Sequence, residues 1–110
     1  MRRLTKSIVM VCAGLTAGLA QAQVDAAAAE TLAKKSKCMT CHSVDKKKDG
    51  PSFKETAAKY KGKADAEKQL VAHLTSNPKI KVDGKEELHE SPKTKNEAEI
   101  KNLAAWILSR

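Results

Sequence analysis

The segment from Cys38 to His42 constrains this 110-residue chain more than any other feature, because it places two thiols and one imidazole within five residues. Two cysteines at this spacing can form thioether bonds with the two vinyl groups on one porphyrin edge, and the histidine that follows can then bind the iron. The motif predicts one covalently attached haem, haem c, with Cys38 and Cys41 as its thioether residues and His42 as the proximal iron ligand.

The same two cysteines have three competing interpretations. A thioredoxin-type redox pair lies in a βαβ setting, which the helical pattern of this chain lacks. A zinc site needs a fourth ligand and usually a second Cys or His pair, and the sequence has no suitably spaced pair. A disulfide across two intervening residues would restrain little of the domain. Haem attachment is therefore the favoured interpretation.

The first 22 residues have the order of a secretory signal peptide. Basic residues open the chain, residues 8–19 are almost entirely apolar, and Ala20-Gln21-Ala22 supplies small residues where a signal peptidase cleaves. A helix that spans a bilayer needs about 20 apolar residues, which is longer than this run of 12. We therefore predict a cleavable signal peptide over residues 1–22 and a mono-haem domain over residues 23–110, exported to the periplasm without stable insertion in the membrane.

The exported domain would have few means of stabilising itself. The hydrophobic core of a domain of 88 residues usually gives only marginal stability. The domain contains no cysteines beyond the motif, and its only aromatic residues are Phe53, Tyr60 and Trp106. A buried porphyrin would complete such a core.

The exported domain is predicted to be all-α, because β-branched residues are sparse and do not alternate over a useful length. Residues 79–93 are expected to form an irregular loop with one helical turn over 86–89. Four helices follow from periodicity and capping residues: one capped by Asp25 and running to about Lys35, one from Phe53 to Tyr60 ended by Gly62, one capped by Asp65 and ended by Asn77-Pro78, and one opened by the capping box Thr94-x-x-Glu97.

Four segments, residues 38–42, 49–54, 57–60 and 103–108, resemble bacterial class I cytochromes c of the small c-551/c-552 type. The resemblance implies an all-α cytochrome c fold whose N- and C-terminal helices cross beside the haem. It also implies that the Pro51 carbonyl accepts a hydrogen bond from Nδ1–H of His42, which would fix the tautomer and increase electron donation to the iron. Trp106 would pack near the haem edge, a role compatible with that of an ordinary core aromatic.

The chain departs from this family at the second axial ligand, which small class I cytochromes usually take from a methionine before the last helix. The methionines here are Met1, Met10 and Met39. The first two belong to the predicted signal peptide, and a side chain inside the attachment motif cannot reach the opposite face of the haem. The second ligand must therefore be another residue, or the site is open.

His89 is the predicted second ligand. It lies 17 residues before Trp106, close to the spacing at which the family's methionine precedes its tryptophan, and imidazole is a competent iron ligand. The alternatives are His73, a lysine or an open site, while His89 could also be an exposed residue of a charged loop. Ligation by His42 and His89 predicts a lower reduction potential than a His/Met haem.

Basic residues cluster on both sides of the attachment motif. They form either a solvated surface or a docking face that steers acidic redox partner proteins. Nucleic acid binding is disfavoured, because the chain is predicted to be exported and lacks aromatic stacking residues and a recognised motif. The cluster, named here the basic surface, comprises Lys34, Lys35, Lys37, Lys46, Lys47, Lys48, Lys54, Lys59, Lys61 and Lys63.

The leading functional hypothesis is a periplasmic one-electron carrier between redox partner proteins, not an enzyme. Bis-histidine ligation would leave no position free for oxygen, peroxide or nitric oxide. The alternatives are a haem protein with an open or displaceable sixth ligand, gas-binding or peroxidase-like, and a haem subunit of a larger redox enzyme.

Overall fold

The computed structural model describes residue 14 and residues 23–110. Apart from Gly14, the predicted signal peptide lies outside the described residues. The described part contains five helices and one antiparallel pair of strands. In chain order these are α1 (Ala26–Lys35), α2 (Cys38–Cys41), α3 (Phe53–Tyr60), α4 (Ala66–Thr75), β1 (Lys79–Val82), β2 (Lys85–Leu88) and α5 (Glu97–Leu108).

The first and last helices, α1 and α5, pack against each other. Ala29 and Ala33 of α1 are fully buried, as are Leu103 and Ala104 of α5, and the small side chains let the two helices approach closely. At one end of this contact the Asn102 side chain accepts from the backbone N–H of Asp25 and donates to its carbonyl, both at 2.9 Å. The fold is thus mostly helical with its terminal helices in contact, as the resemblance implies.

Helices α3 and α4 complete the core by packing on α5. Leu70 and Leu74 of α4 are buried. Phe53, the first residue of α3, meets Trp106 of α5 edge to face, with ring centroids 5.6 Å apart, a favourable arrangement for an aromatic pair. This part of the core fixes the positions of α3 and α4 beside the cavity described below.

The first residues of α1 and α5 show which of the predicted N-terminal caps are correct. Asp25 caps α1 by accepting from the backbone N–H of Ala28 at 3.0 Å. At α5 the predicted capping box was wrong: Asn96 is the cap, with its side-chain oxygen accepting from Ala98 N–H at 2.9 Å. The Thr94 hydroxyl instead donates to the carboxylate of Glu99. Asn96 directly precedes the helix, so its amide oxygen reaches the free N–H groups of the first turn.

The segment after α4 was also predicted wrongly, because it forms a hairpin instead of an irregular loop with a helical turn. Lys79 pairs with Leu88 and Val82 pairs with Lys85. Asp83 and Gly84 form the turn with φ values of 51° and 78°, the two positive values that a tight two-residue hairpin turn requires. The domain is therefore mostly helical, with one short hairpin, rather than strictly all-α.

Candidate haem site

The attachment motif begins with a sharp change of chain direction. Lys37 adopts a left-handed conformation, with φ 60° and ψ 23°, and α2 follows as a single turn over Cys38–Cys41. Residues three apart on a helix lie on the same face, so the two free thiols project from one side of this turn. Cys38 packs against the hydrophobic core, and burial raises the pKa of its thiol.

His42 leaves the short helix in an extended conformation and is fixed by the next loop. Its Nδ1 donates to the carbonyl of Pro51 at 2.7 Å. The N–H of Gly50 donates to the carbonyl of Cys41 at 2.8 Å, which holds this loop against the motif. Because a carbonyl has no hydrogen to give, Nδ1 carries the proton and Nε2 keeps a free lone pair. The structure thus contains the hydrogen bond between His42 and Pro51 that the resemblance implies.

A cavity of about 530 Å³ opens beside the motif. Cys41, His42 and His89 line it together with apolar residues, among them Leu70 and Ile80. Its volume lies within the range of about 300–1,000 Å³ that is usual for ligand and cofactor sites. Cys41, His42 and the predicted second ligand His89 therefore line the same cavity.

His42 and His89 have ring centroids 6.0 Å apart and ring planes tilted by 52°. An imidazole nitrogen binds a metal at about 2 Å and its ring centre lies about 1 Å further back, so two imidazoles on opposite sides of one metal have centroids about 6 Å apart. The observed separation is compatible with one iron between the two rings. The residues present therefore fit a haem.

His73 of α4 lines the same cavity, and its ring centroid lies 5.0 Å from that of His89. Burial is the main cause that lowers the pKa of both side chains. The positive charge of Lys59 lowers the pKa of His73 further. The charge of His73 in turn lowers the pKa of His89. Both rings are therefore biased toward the neutral form, in which an imidazole can bind a metal.

Trp106 does not lie on the cavity wall. It is 2% exposed and meets Phe53, which stacks on His42 with ring centroids 5.4 Å apart. Phe53 is thus a site residue, although the sequence assigned it no role toward His42. Gly50 is another, because it packs directly against the His42 ring. The available signal was that both lie within two residues of Pro51, whose carbonyl binds His42.

The basic surface is exposed to solvent throughout. Three of its members make specific contacts. Lys54 forms an ion pair with Asp45 at 2.6 Å, Lys48 donates to the carbonyl of Met39 at 2.9 Å, and Lys63 Nζ lies over the Tyr60 ring, 5.4 Å from its centroid. Lys59 lies at the rim of the cavity and is also one of its lining residues. The lysine cluster of the sequence therefore lies beside the candidate site, with most of its charges unneutralised.

The described residues place two further limits on the site. Within residue 14 and residues 23–110, no three His, Cys, Asp or Glu side chains converge as a metal site. In the same ranges, no helix combines the length and the hydropathy needed to cross a membrane.

Comparison with known proteins places the chain among haem proteins. The cytochrome c family model matches residues 26–110. Cytochrome c-551 of Azotobacter vinelandii is 42% identical over 83 residues, which cover 73% of this chain and 94% of the relative. Cytochrome c-551 of Stutzerimonas stutzeri is 38% identical over 104 residues, with coverage of 94% and 97%.

Solved structures agree with this placement. The class 1 cytochrome MtoD from Sideroxydans lithotrophicus ES-1 is 52% identical, with a TM-score of 0.75 and coverage of 79% of this chain and 97% of that one. Wild-type cytochrome c552 of Nitrosomonas europaea is 34% identical, with a TM-score of 0.56 and coverage of 73% and 96%.

Proposed function

Since the chain belongs to the cytochrome c family, we propose that this mono-haem electron carrier works in the periplasm and binds its iron through His42 and His89. It is a carrier of the c-551/c-552 type, not an enzyme, and has one haem c attached through Cys38 and Cys41. The bound haem supplies a one-electron change between ferric and ferrous iron. Beyond this family assignment, we propose which side chains bind the iron and in which compartment the protein works.

The separation of 6.0 Å between the His42 and His89 rings carries the ligand proposal. Within residues 23–110 the only methionine is Met39, which lies inside the attachment motif. His89 lies before the last helix, close to the spacing expected for the family's methionine, and its ring lines the cavity from the loop after the hairpin.

Ligation by two imidazoles would determine whether the reduction potential lies above or below that of a His/Met haem. His42 donates its Nδ1 proton to Pro51, which increases the basicity of the nitrogen that faces the iron. A second imidazole favours ferric iron, whereas a methionine sulfur favours ferrous iron and raises the potential. Phe53 stacks on His42 and limits the approach of water on that side. We therefore expect a potential below that of His/Met relatives.

The proposed location and partners rest on charge and on the N-terminal sequence. Residues 1–22 have the order of a signal peptide, so residues 23–110 would be exported. The basic surface presents exposed lysines beside the haem cavity. Such a surface steers acidic proteins toward brief encounters, so we propose redox partners with acidic docking surfaces.

Electronic spectra and carbon monoxide binding of the holoprotein test the ligand proposal. We expect the wild type to be six-coordinate and low-spin in both oxidation states and to bind carbon monoxide poorly. His89→Ala should open the sixth position, so that the ferrous protein binds carbon monoxide readily. His73→Ala is the matched control, because its ring lies 5.0 Å from that of His89 and its removal should leave the spectrum unchanged.

Two outcomes contradict the proposal. If His89→Ala keeps the wild-type spectrum while His73→Ala opens the site, His73 is the ligand. If the wild-type ferrous protein itself binds carbon monoxide readily, the sixth position is open or displaceable, and the chain resembles a gas-binding protein more than a saturated carrier.

A further inference from the structure

His89 is bonded to the segment between α4 and β1 by both of its backbone polar groups. Its N–H donates to the carbonyl of Pro78 at 2.8 Å, which continues the ladder that pairs Lys79 with Leu88. Its carbonyl accepts from the side-chain Nδ2 of Asn77 at 2.9 Å. The first bond is part of the hairpin, and the second depends on the identity of one side chain.

We infer that Asn77 is a positioning residue for the sixth iron ligand and acts through the backbone of His89. The inference rests on the proposed ligation by His89. The ring of His89 packs beside that of His73, with centroids 5.0 Å apart, but its Nδ1 is buried without a hydrogen-bond partner among the described residues. Its backbone bonds therefore contribute to fixing where the ring lies in the cavity.

The strand that precedes His89 is not buried in the core. All four residues of β2 are exposed, and Leu88, directly before His89, is 64% exposed. Helix α4, by contrast, is anchored in the core through Leu70 and Leu74, which are 3% and 6% exposed. The bond from Asn77, two residues beyond the end of α4, thus links His89 to the segment that directly follows a helix anchored in the core.

Position 77 places two demands on its residue. The chain turns there with φ 47°, a left-handed value that asparagine adopts far more readily than most residues. The side chain must also donate a hydrogen bond across the base of the hairpin. Glycine meets the first demand alone, and aspartate lacks the donor, so asparagine is the small residue that meets both.

The expected effect of removing the Asn77 donor follows from the free energy of one hydrogen bond. A neutral bond of this kind shifts an equilibrium by about three- to tenfold, toward the lower end where water can replace the lost donor. Asn77 is exposed, so water can reach the freed carbonyl of His89. We expect the population with a detached His89 to rise by about that factor when the donor is removed.

Carbon monoxide titration of the ferrous holoprotein measures this population, because the gas binds only where the sixth ligand has left. Asn77→Gly keeps the left-handed turn and removes the donor, and Asn77→Asp keeps the shape and removes the donor. Both should raise the apparent affinity for carbon monoxide by about three- to tenfold. The control is Asn102→Ala, which breaks two hydrogen bonds to Asp25 and should lower the melting temperature without changing the affinity.

The outcomes separate this inference from the proposed function. An unchanged affinity in both Asn77 variants, alongside strong binding by His89→Ala, overturns the positioning role and leaves the ligation intact. An equal rise in Asn102→Ala also overturns it, because general loosening would then explain the effect. If His89→Ala fails to open the site, the ligation proposal and this inference fall together.

Discussion

Gly50 packs against the ring of His42 so closely that a methyl group does not fit. A Cβ at this position would lie 2.5 Å from Cε1, 2.8 Å from Nδ1 and 3.1 Å from Nε2 of His42. Because non-bonded atoms of this size prefer separations of about 3.5–4.0 Å, Gly50→Ala must displace the ring or the loop by about 1 Å. The next residue, Pro51, accepts the hydrogen bond from His42 at 2.7 Å, so the displacement strains that bond.

Two quantities should change in the Gly50→Ala holoprotein. Overpacking of this kind costs about 1–3 kcal/mol, which lowers the melting temperature of a domain this size by about 5–20 °C. Weaker donation from Nδ1 of His42 to Pro51 reduces the basicity of the iron-bound nitrogen, so the reduction potential should rise. Thermal melting followed at the haem absorption band and protein-film voltammetry measure the two effects.

Gly62→Ala is the matched control for Gly50→Ala. Gly62 has φ +81°, and a Cβ there meets nothing within 4 Å, so alanine adds backbone strain of about 1–2 kcal/mol without touching the site. Its melting temperature should fall while its potential stays at the wild-type value. The reasoning is refuted if Gly50→Ala leaves the potential unchanged and destabilises the protein no more than Gly62→Ala does.

Two further predictions concern charge. Replacing the lysines at positions 46–48 with glutamate should slow electron transfer to an acidic redox partner, and stopped-flow rates should show this difference shrinking as salt is raised. The pKa of Asp65 is lowered chiefly by the hydrogen bond from the Gln69 side chain, so NMR titration of Gln69→Ala should show it moving up toward the ordinary value. A carboxyl group whose pKa is lowered by folding stabilises the fold at pH values above its unfolded-state pKa. This stabilisation is lost as the pH falls through the folded-state pKa, so the stability difference between variant and wild type should vanish in acid.

The parts of the fold that were predictable depend on local rules. Helix α1 follows from its cap at Asp25, and α3 begins at Phe53 and ends at Tyr60 as expected. The hairpin was missed because its strands are four residues long and β2 has no alternation, with a fully exposed pattern. Its stability comes from the ladder and from the Asp83-Gly84 turn, neither of which hydrophobic periodicity detects.

The residues of the candidate haem site likewise differ in how far the sequence predicts them. Cys38, Cys41 and His42 are contiguous, so the spacing alone indicates their chemistry. The roles of Phe53, Gly50 and Asn77 depend on contacts between separate segments of the folded chain. For Gly50 and Phe53 the only signal in the sequence is their closeness to Pro51, and for Asn77 there is none. His89 lies between these cases, since a missing methionine and a family spacing point to it but only the folded chain brings its ring 6.0 Å from that of His42.

Removing the haem should unfold this domain and not merely empty its cavity. A haem would fill the cavity of about 530 Å³, and without it the apolar side chains that line the cavity lose their packing partners. A typical domain is stable by only about 5–15 kcal/mol, so the loss of these contacts is enough to unfold it. Cys38→Ala/Cys41→Ala, produced without haem, should therefore lack near-ultraviolet circular dichroism and cooperative melting, whereas the haem-bearing wild type should show both. Cooperative melting and dispersed NMR signals in the haem-free variant would mean that the helices pack without the porphyrin, and that the scarcity of aromatic residues has another explanation.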